Sequence, residues 1–133
     1  MHLDILFDTD RFNLSEPKEQ FINPCCFGDD LATWLRARLL ERGIPTIEPG
    51  QEDWGWYIES KLGGDSYFIG MGGTVEESAP DSNRGEWRIM VEKRRSLWEK
   101  LSGKNKISLN DPIFAVIRNV LERENDFKDI RCE

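Results

Sequence analysis

The chain has 133 residues, 38% of them apolar and 32% charged, with a formal net charge of −7 and a pI near 4.8. That length fits one domain with one hydrophobic core, and the apolar fraction excludes global disorder. The acidity excludes the overall basic footprint on which nucleic-acid binders rely.

His2 to Phe7 reads as a strand, because Leu3, Ile5 and Phe7 alternate with Asp4 and Asp8, although Leu6 softens the pattern. Residues 8–27 are polar and irregular, and Phe12, Phe21, Ile22 and Phe27 are expected to tack them onto the core. A helix is expected over 29–42. Gly28, Asp29 and Asp30 offer an N-cap and an acidic first turn, Leu31, Leu35 and Leu39 recur every fourth residue, and Gly43 suits the C′ position. Ile44 to Ile47 reads as a short strand or extended link ended by Pro49-Gly50. Trp54, Trp56 and Ile58 then alternate with Gly55, Tyr57 and Glu59, a strand pattern that places both tryptophans on the core face. Gly63-Gly64-Asp65 turns the chain into a second run, Ser66 to Met71, to make an antiparallel hairpin. Gly70, Gly72 and Gly73 are expected to mark its end.

Residues 74–84 read as an exposed loop, and 86–92 as a strand with Trp87, Ile89 and Val91 on one face. Leu97, Trp98 and Leu101 suggest a short helix closed by Gly103. Asp111-Pro112 marks a helix start, with Ile113, Val116, Ile117, Val120 and Leu121 as the buried stripe. Phe127 to Cys132 reads as an edge strand. The expected fold class is α+β, a single domain over 1–133 with a two-layer, mostly antiparallel sheet and helices packed on one face.

No nucleotide-binding or metal-binding motif stands out. Gly70-Met71-Gly72-Gly73-Thr74 follows a strand but leads into a loop, so it lacks the helix N-terminus that would hold a phosphate. Cys25-Cys26 lacks the CxxC spacing, and His2 is the sole histidine. A thiol mechanism would require the fold to bring His2 to Cys25 or Cys26. Asp8 with Asp10, Asp29 with Asp30, and Glu52 with Asp53 are the carboxylate pairs that acid–base or Mg²⁺ chemistry could use. Capping accounts for Asp29-Asp30, which leaves Glu52-Asp53 as the most suggestive pair. No catalytic residue and no cofactor is assigned.

Charge is unevenly spread. Residues 1–80 hold 15 acidic and 6 basic side chains, and residues 81–133 hold 10 and 12. The basic ones cluster at Lys93, Arg94, Arg95, Lys100, Lys104 and Lys106, most simply a solvated face. Three cysteines, two of them adjacent, make a poor disulfide framework, and the N-terminus has acidic residues where a signal peptide needs basic ones. A cytoplasmic location is therefore expected, with no membrane partner and nucleic acid disfavoured. Edge pairing of the last strand would allow a homo-oligomer.

The segments GDDLATWLRARLLERG, EDWGWYIES, LSGKNKI and NDPIFAVIRNVL together resemble a group of small bacterial proteins in which a helix precedes an acidic dipeptide and a Trp-Gly-Trp strand. In size, charge and style the chain also resembles immunity proteins, which bind and neutralise a toxin domain. The resemblance implies a stoichiometric protein-binding domain, an inhibitor of a basic toxin or nuclease, rather than an enzyme. The residues expected to contact such a partner are Glu52, Asp53, Tyr57, Glu59 and Tyr67, with carboxylates steering and aromatics anchoring. The alternative is a small carboxylate-based enzyme or ligand-binding domain in which Asp29, Glu52 or Asp53 converge on a deep pocket.

Overall fold

In a computed structural model, which describes residues 2–24 and 26–133, nine elements follow one another. They are β1 (Leu3–Thr9), α1 (Asp29–Glu41), β2 (Gly50–Glu52), β3 (Gly55–Leu62), β4 (Asp65–Val75), β5 (Gly85–Lys93), α2 (Leu97–Ser102), α3 (Pro112–Glu122) and β6 (Lys128–Cys132). The strands form one sheet in the order β2-β3-β4-β5-β1-β6, and every neighbouring pair is antiparallel. The fold is α+β. Cys25 lies outside the described residues.

One face of the sheet carries the core. Ile5 and Phe7 of β1 share it with Trp56 and Ile58 of β3, Ile69 and Met71 of β4, and Trp87, Ile89 and Val91 of β5. Helix α1 joins this core through Leu31, Ala32, Leu35 and Leu39, and α3 through Ile113, Phe114, Ile117, Val120 and Leu121. The spacing of three and four in both helices puts these residues on one stripe, and burying each of the larger side chains is worth about 2 kcal/mol. Between β1 and α1 the irregular segment adds Phe12, Leu14, Phe21 and Phe27. Phe12 meets the Trp87 ring edge-on at 5.8 Å, and Phe127 closes the end of the core against Phe7 at 4.9 Å and Trp34 at 5.2 Å.

Several expectations are corrected. Ile22 is exposed rather than tacked to the core. Gly28, at φ 144°, is the N-cap of α1 and Asp29 and Asp30 stand in its first turn as expected, but no side chain caps the helix, so capping does not account for the two aspartates. Asp29 and Asp30 instead grip Lys18 at 2.6 and 2.9 Å, and Asp30 accepts the Asn13 N–H. Of the two readings of Ile44 to Ile47, the extended link holds: Thr46 makes an isolated bridge to Ser60, while the edge strand β2 begins at Gly50. Gly70, Gly72 and Gly73 do not end β4, which runs on to Val75 because β5 pairs with it as far as Gly85. Helix α2 forms as expected but buries no residue, so α1 and α3 alone make the helical layer. No helix among the described residues is long and apolar enough to cross a membrane.

A buried ion pair ties the layers together at one end. Lys93, 8% exposed, lies on the core face of β5. Its ammonium donates to Asn105 Oδ1 at 2.9 Å and to Asp111 Oδ1 at 3.2 Å, and Asp65 Oδ2 lies at 3.7 Å. The start of β4, the end of β5 and the N-cap of α3 thus meet on one charge. Lys93 is accordingly no member of the exposed basic cluster. Lys93→Met should cost about 3 kcal/mol in urea unfolding, because it strands the Asp111 carboxylate with little access to water. Charge-neutral Asp111→Asn in the same background should recover part of that loss.

Tyr67 pairs with Lys93 on that core face. Burial, followed by the charges of Asp111 and Asp65, pushes its phenol up to about 12 from the ordinary 10. The folded state therefore holds this proton more tightly than the unfolded chain. Stability from this group is complete below pH 10 and should be lost as pH rises through about 12. Tyr67→Phe should flatten that alkaline loss in denaturant titrations run at a series of pH values.

Candidate functional site on the uncovered sheet face

The other face of the sheet has no helix over it, and the hairpin turns decide what stands there. Asp53 and Trp54 form the turn between β2 and β3, with Glu52 opposite Gly55. Trp54 is thus released from the strand alternation that places Trp56 in the core. It is 40% exposed, and its ring lies on the uncovered face above Gly70. A Cβ at Gly70 would come within 2.6 Å of that ring, so the position requires the missing side chain. This corrects the expectation that both tryptophans are core.

Tyr57 and Glu59 also point to this face. The Tyr57 ring rests on Gly50 of β2, where a Cβ would meet it at 2.5 Å, and stacks on Phe68 with centroids 4.9 Å apart and planes 23° from parallel. Trp54 meets Phe68 edge-on at 6.3 Å. Glu59 pairs with Arg94, whose guanidinium sits 5.9 Å from the centre of the Phe68 ring. Phe68 is therefore the hub of the face, touched by two aromatic rings and one cation.

Tyr67 does not belong to this surface. It lies opposite Ser60 and is 1% exposed, so it cannot touch a partner. The hairpin pairs Leu62 with Asp65, which makes even positions of β3 face the same way as odd positions of β4. Phe68 takes the place expected of Tyr67. Parity across Gly63-Gly64 is the signal that would have found it.

A groove of about 730 Å³ runs beside the aromatic group. Trp54, Phe68 and Met90 supply its apolar lining, and Glu52, Glu92 and Arg88 its charges. Arg88 is engaged by Asp4, which His2 also approaches at 3.5 Å. Glu52, Asp53 and Glu92 are exposed and have no ion pair among the described residues. Asp53 stands at the turn, where its backbone carbonyl accepts the Cys26 thiol at 3.1 Å and the Asn23 amide at 3.3 Å. The folded chain does bring Cys26 and His2 to the walls of the same groove. Of Asp29, Glu52 and Asp53, only Glu52 lines it, so the three carboxylates do not converge.

A second depression, of about 800 Å³, lies at the end of the sheet where β1 finishes and β5 begins. Asp8, Asp10, Glu76, Glu86 and Asp126 surround it. Most are already matched: Glu76 by Arg84, Glu86 by Arg131, and Asp126 by Arg11, which holds the Asp126 carboxyl below its usual range. Burial raises Asp8, and Arg131 only partly opposes it. No group of three or more His, Cys, Asp or Glu among the described residues could hold a metal ion.

No family model, curated protein or solved structure matches the chain.

Gly70→Ala should push the Trp54 ring off its bed while leaving the core face intact. Acrylamide quenching of tryptophan emission should increase relative to the parent, with the far-UV circular dichroism spectrum unchanged. An unchanged quenching constant would show that the ring does not depend on that glycine.

Proposed function

We propose that this chain is a stoichiometric protein-binding domain, an immunity-like inhibitor of a basic toxin or nuclease, and that the uncovered sheet face is its contact surface. The observation carrying this reading is the aromatic group of Trp54, Tyr57 and Phe68, supported from beneath by glycines and lying beside the exposed carboxylates Glu52, Asp53 and Glu92. Aromatic side chains with few rotatable bonds lose little entropy on binding and dominate interface energetics. Carboxylates without intramolecular partners attract a basic surface and accelerate its approach. Asp53, at the tip of the β2–β3 turn, is placed to meet a partner early, while Glu59 acts through its pair with Arg94 beside Phe68.

Affinity capture from the native host, repeated with Trp54→Ala and with the pair Glu52→Lys and Asp53→Lys, tests this. One basic protein should be retained at a 1:1 ratio. Trp54→Ala should weaken its binding by about 2 kcal/mol, seen as faster dissociation. The charge reversals should mainly slow association, and more so at low salt. Retention of the same protein by all the variants would overturn the assignment of this face.

A second reading has its own support. The groove beside Trp54 falls within the size range of small-molecule sites and combines apolar walls with a few charged groups. A ligand-binding role would appear as a thermal shift with one metabolite class that Trp54→Ala and Met90→Ala abolish.

A further inference from the structure

Helix α2 is unusual in what holds it. A six-residue helix normally survives in water by burying one side, yet Leu97, Trp98 and Leu101 are each 74% exposed. Its ends hold it instead. Ser96 Oγ accepts the Glu99 N–H at 3.1 Å, and Glu99 Oε1 accepts the Ser96 N–H at 3.0 Å, a closed capping box. At the other end Gly103 takes the left-handed conformation, at φ 70°, and Lys104 N–H donates to Glu99 O at 2.9 Å. Arg95 then reaches across to the Lys104 carbonyl at 3.1 Å, and the buried Lys93 secures Asn105 below. The result is a braced projection that presents three large apolar side chains outward at positions i, i+1 and i+4, on one side of the helix.

Cations flank those side chains along the chain in both directions. Residues 94–106 carry Arg94, Arg95, Lys100, Lys104 and Lys106 and a single carboxylate, Glu99, which is occupied in the capping box. Lys100, Lys104 and Lys106 are exposed and have no ion pair among the described residues. The rest of the chain is strongly acidic, so this concentration of positive charge is local.

We propose that the α2 tip docks on the surface of an anionic lipid bilayer. Trp98, Leu97 and Leu101 enter the headgroup boundary, and the lysines meet lipid phosphates. Tryptophan and leucine beside lysine and arginine are the pairing that such interfaces select. The cations Lys100, Lys104 and Lys106 lie within five residues of the apolar trio along the chain, a charge complementary to an anionic headgroup layer. No helix of the described residues could cross the bilayer, so the contact is peripheral. The tip adjoins the aromatic face at Arg94, which sits over Phe68, but the side chains proposed to enter the headgroup boundary, Leu97, Trp98 and Leu101, are not part of that face, so the proposal does not rest on the reading given for it.

The test is co-sedimentation of the full chain with vesicles of phosphatidylcholine alone and of phosphatidylcholine with about 30% phosphatidylglycerol. The chain should pellet with the anionic vesicles only, with a blue shift of tryptophan emission. The triple variant Leu97→Ser, Trp98→Ser, Leu101→Ser should reduce binding at least about tenfold. Lys100→Glu with Lys104→Glu should do the same. Because α2 contributes nothing to the core, both variants should keep the parent's urea midpoint, which separates lost docking from lost folding. A parent chain that stays in the supernatant with anionic vesicles overturns the proposal. So does binding that the triple variant leaves unchanged, or binding confined to an acidic polypeptide such as polyglutamate.

Discussion

The turn at Gly63-Gly64 governs the two faces of this molecule. Both glycines have positive φ, 62° and 84°, which suits a tight two-residue link between twisted antiparallel strands. Leu62 is thereby fixed opposite Asp65, and the parity of every side chain in β3 and β4 follows. A slip of one residue would carry Ile69 and Met71 into water and bring Phe68 into the core. The register of β5 on β4, and of β1 on β5, is built on that first pairing. Helices α1 and α3 then cover whichever face the turn has made apolar.

The uncovered face is not merely what remains. A sheet with one face open commonly shows polar side chains there, yet this one carries a stacked tyrosine and phenylalanine with a tryptophan at their edge. Two glycines, one in each neighbouring strand, make room for the rings. Glycine inside a strand weakens it by roughly 0.5–1 kcal/mol relative to alanine. The sheet bears that cost where a ring must lie flat against the backbone.

Much of this was legible in the sequence, because the stronger elements have a single periodicity. Leu31, Leu35 and Leu39 with Trp34 and the Gly43 stop read as a helix, and Trp87, Ile89 and Val91 as a strand. The Asp111-Pro112 start and the Gly103 stop also lie where local chemistry requires. What the residues hid was tertiary. Trp54 fits the alternation of Trp56 and Ile58, and only the β2 pairing, a three-residue strand with no apolar pattern, turns it out of that series. Glycines at 70, 72 and 73 look like a strand end by composition, and β3 does stop pairing at Met71, but β5 carries β4 through Gly72 and Gly73 to Val75. Tyr67 and Tyr57 look alike as candidate contacts, and one residue of register separates a core phenol from a surface one. Of the expected contact set, Glu52, Asp53, Tyr57 and Glu59 lie on or beside one surface, and Phe68 completes it.

Strand β5 also acts as a ruler. The acidic depression gathers at its first residues, Gly85 and Glu86, and the cationic projection leaves from its last, Lys93. Nine residues of extended chain span about 30 Å, several times the screening length of about 8 Å at physiological ionic strength. The charges at the two ends are therefore electrically independent at contact range in salt water; most carboxylates at the Gly85 end are matched by arginines, whereas Lys100, Lys104 and Lys106 beyond the Lys93 end have no ion pair among the described residues. Near a negatively charged surface the chain would therefore arrive turned with its cationic end foremost.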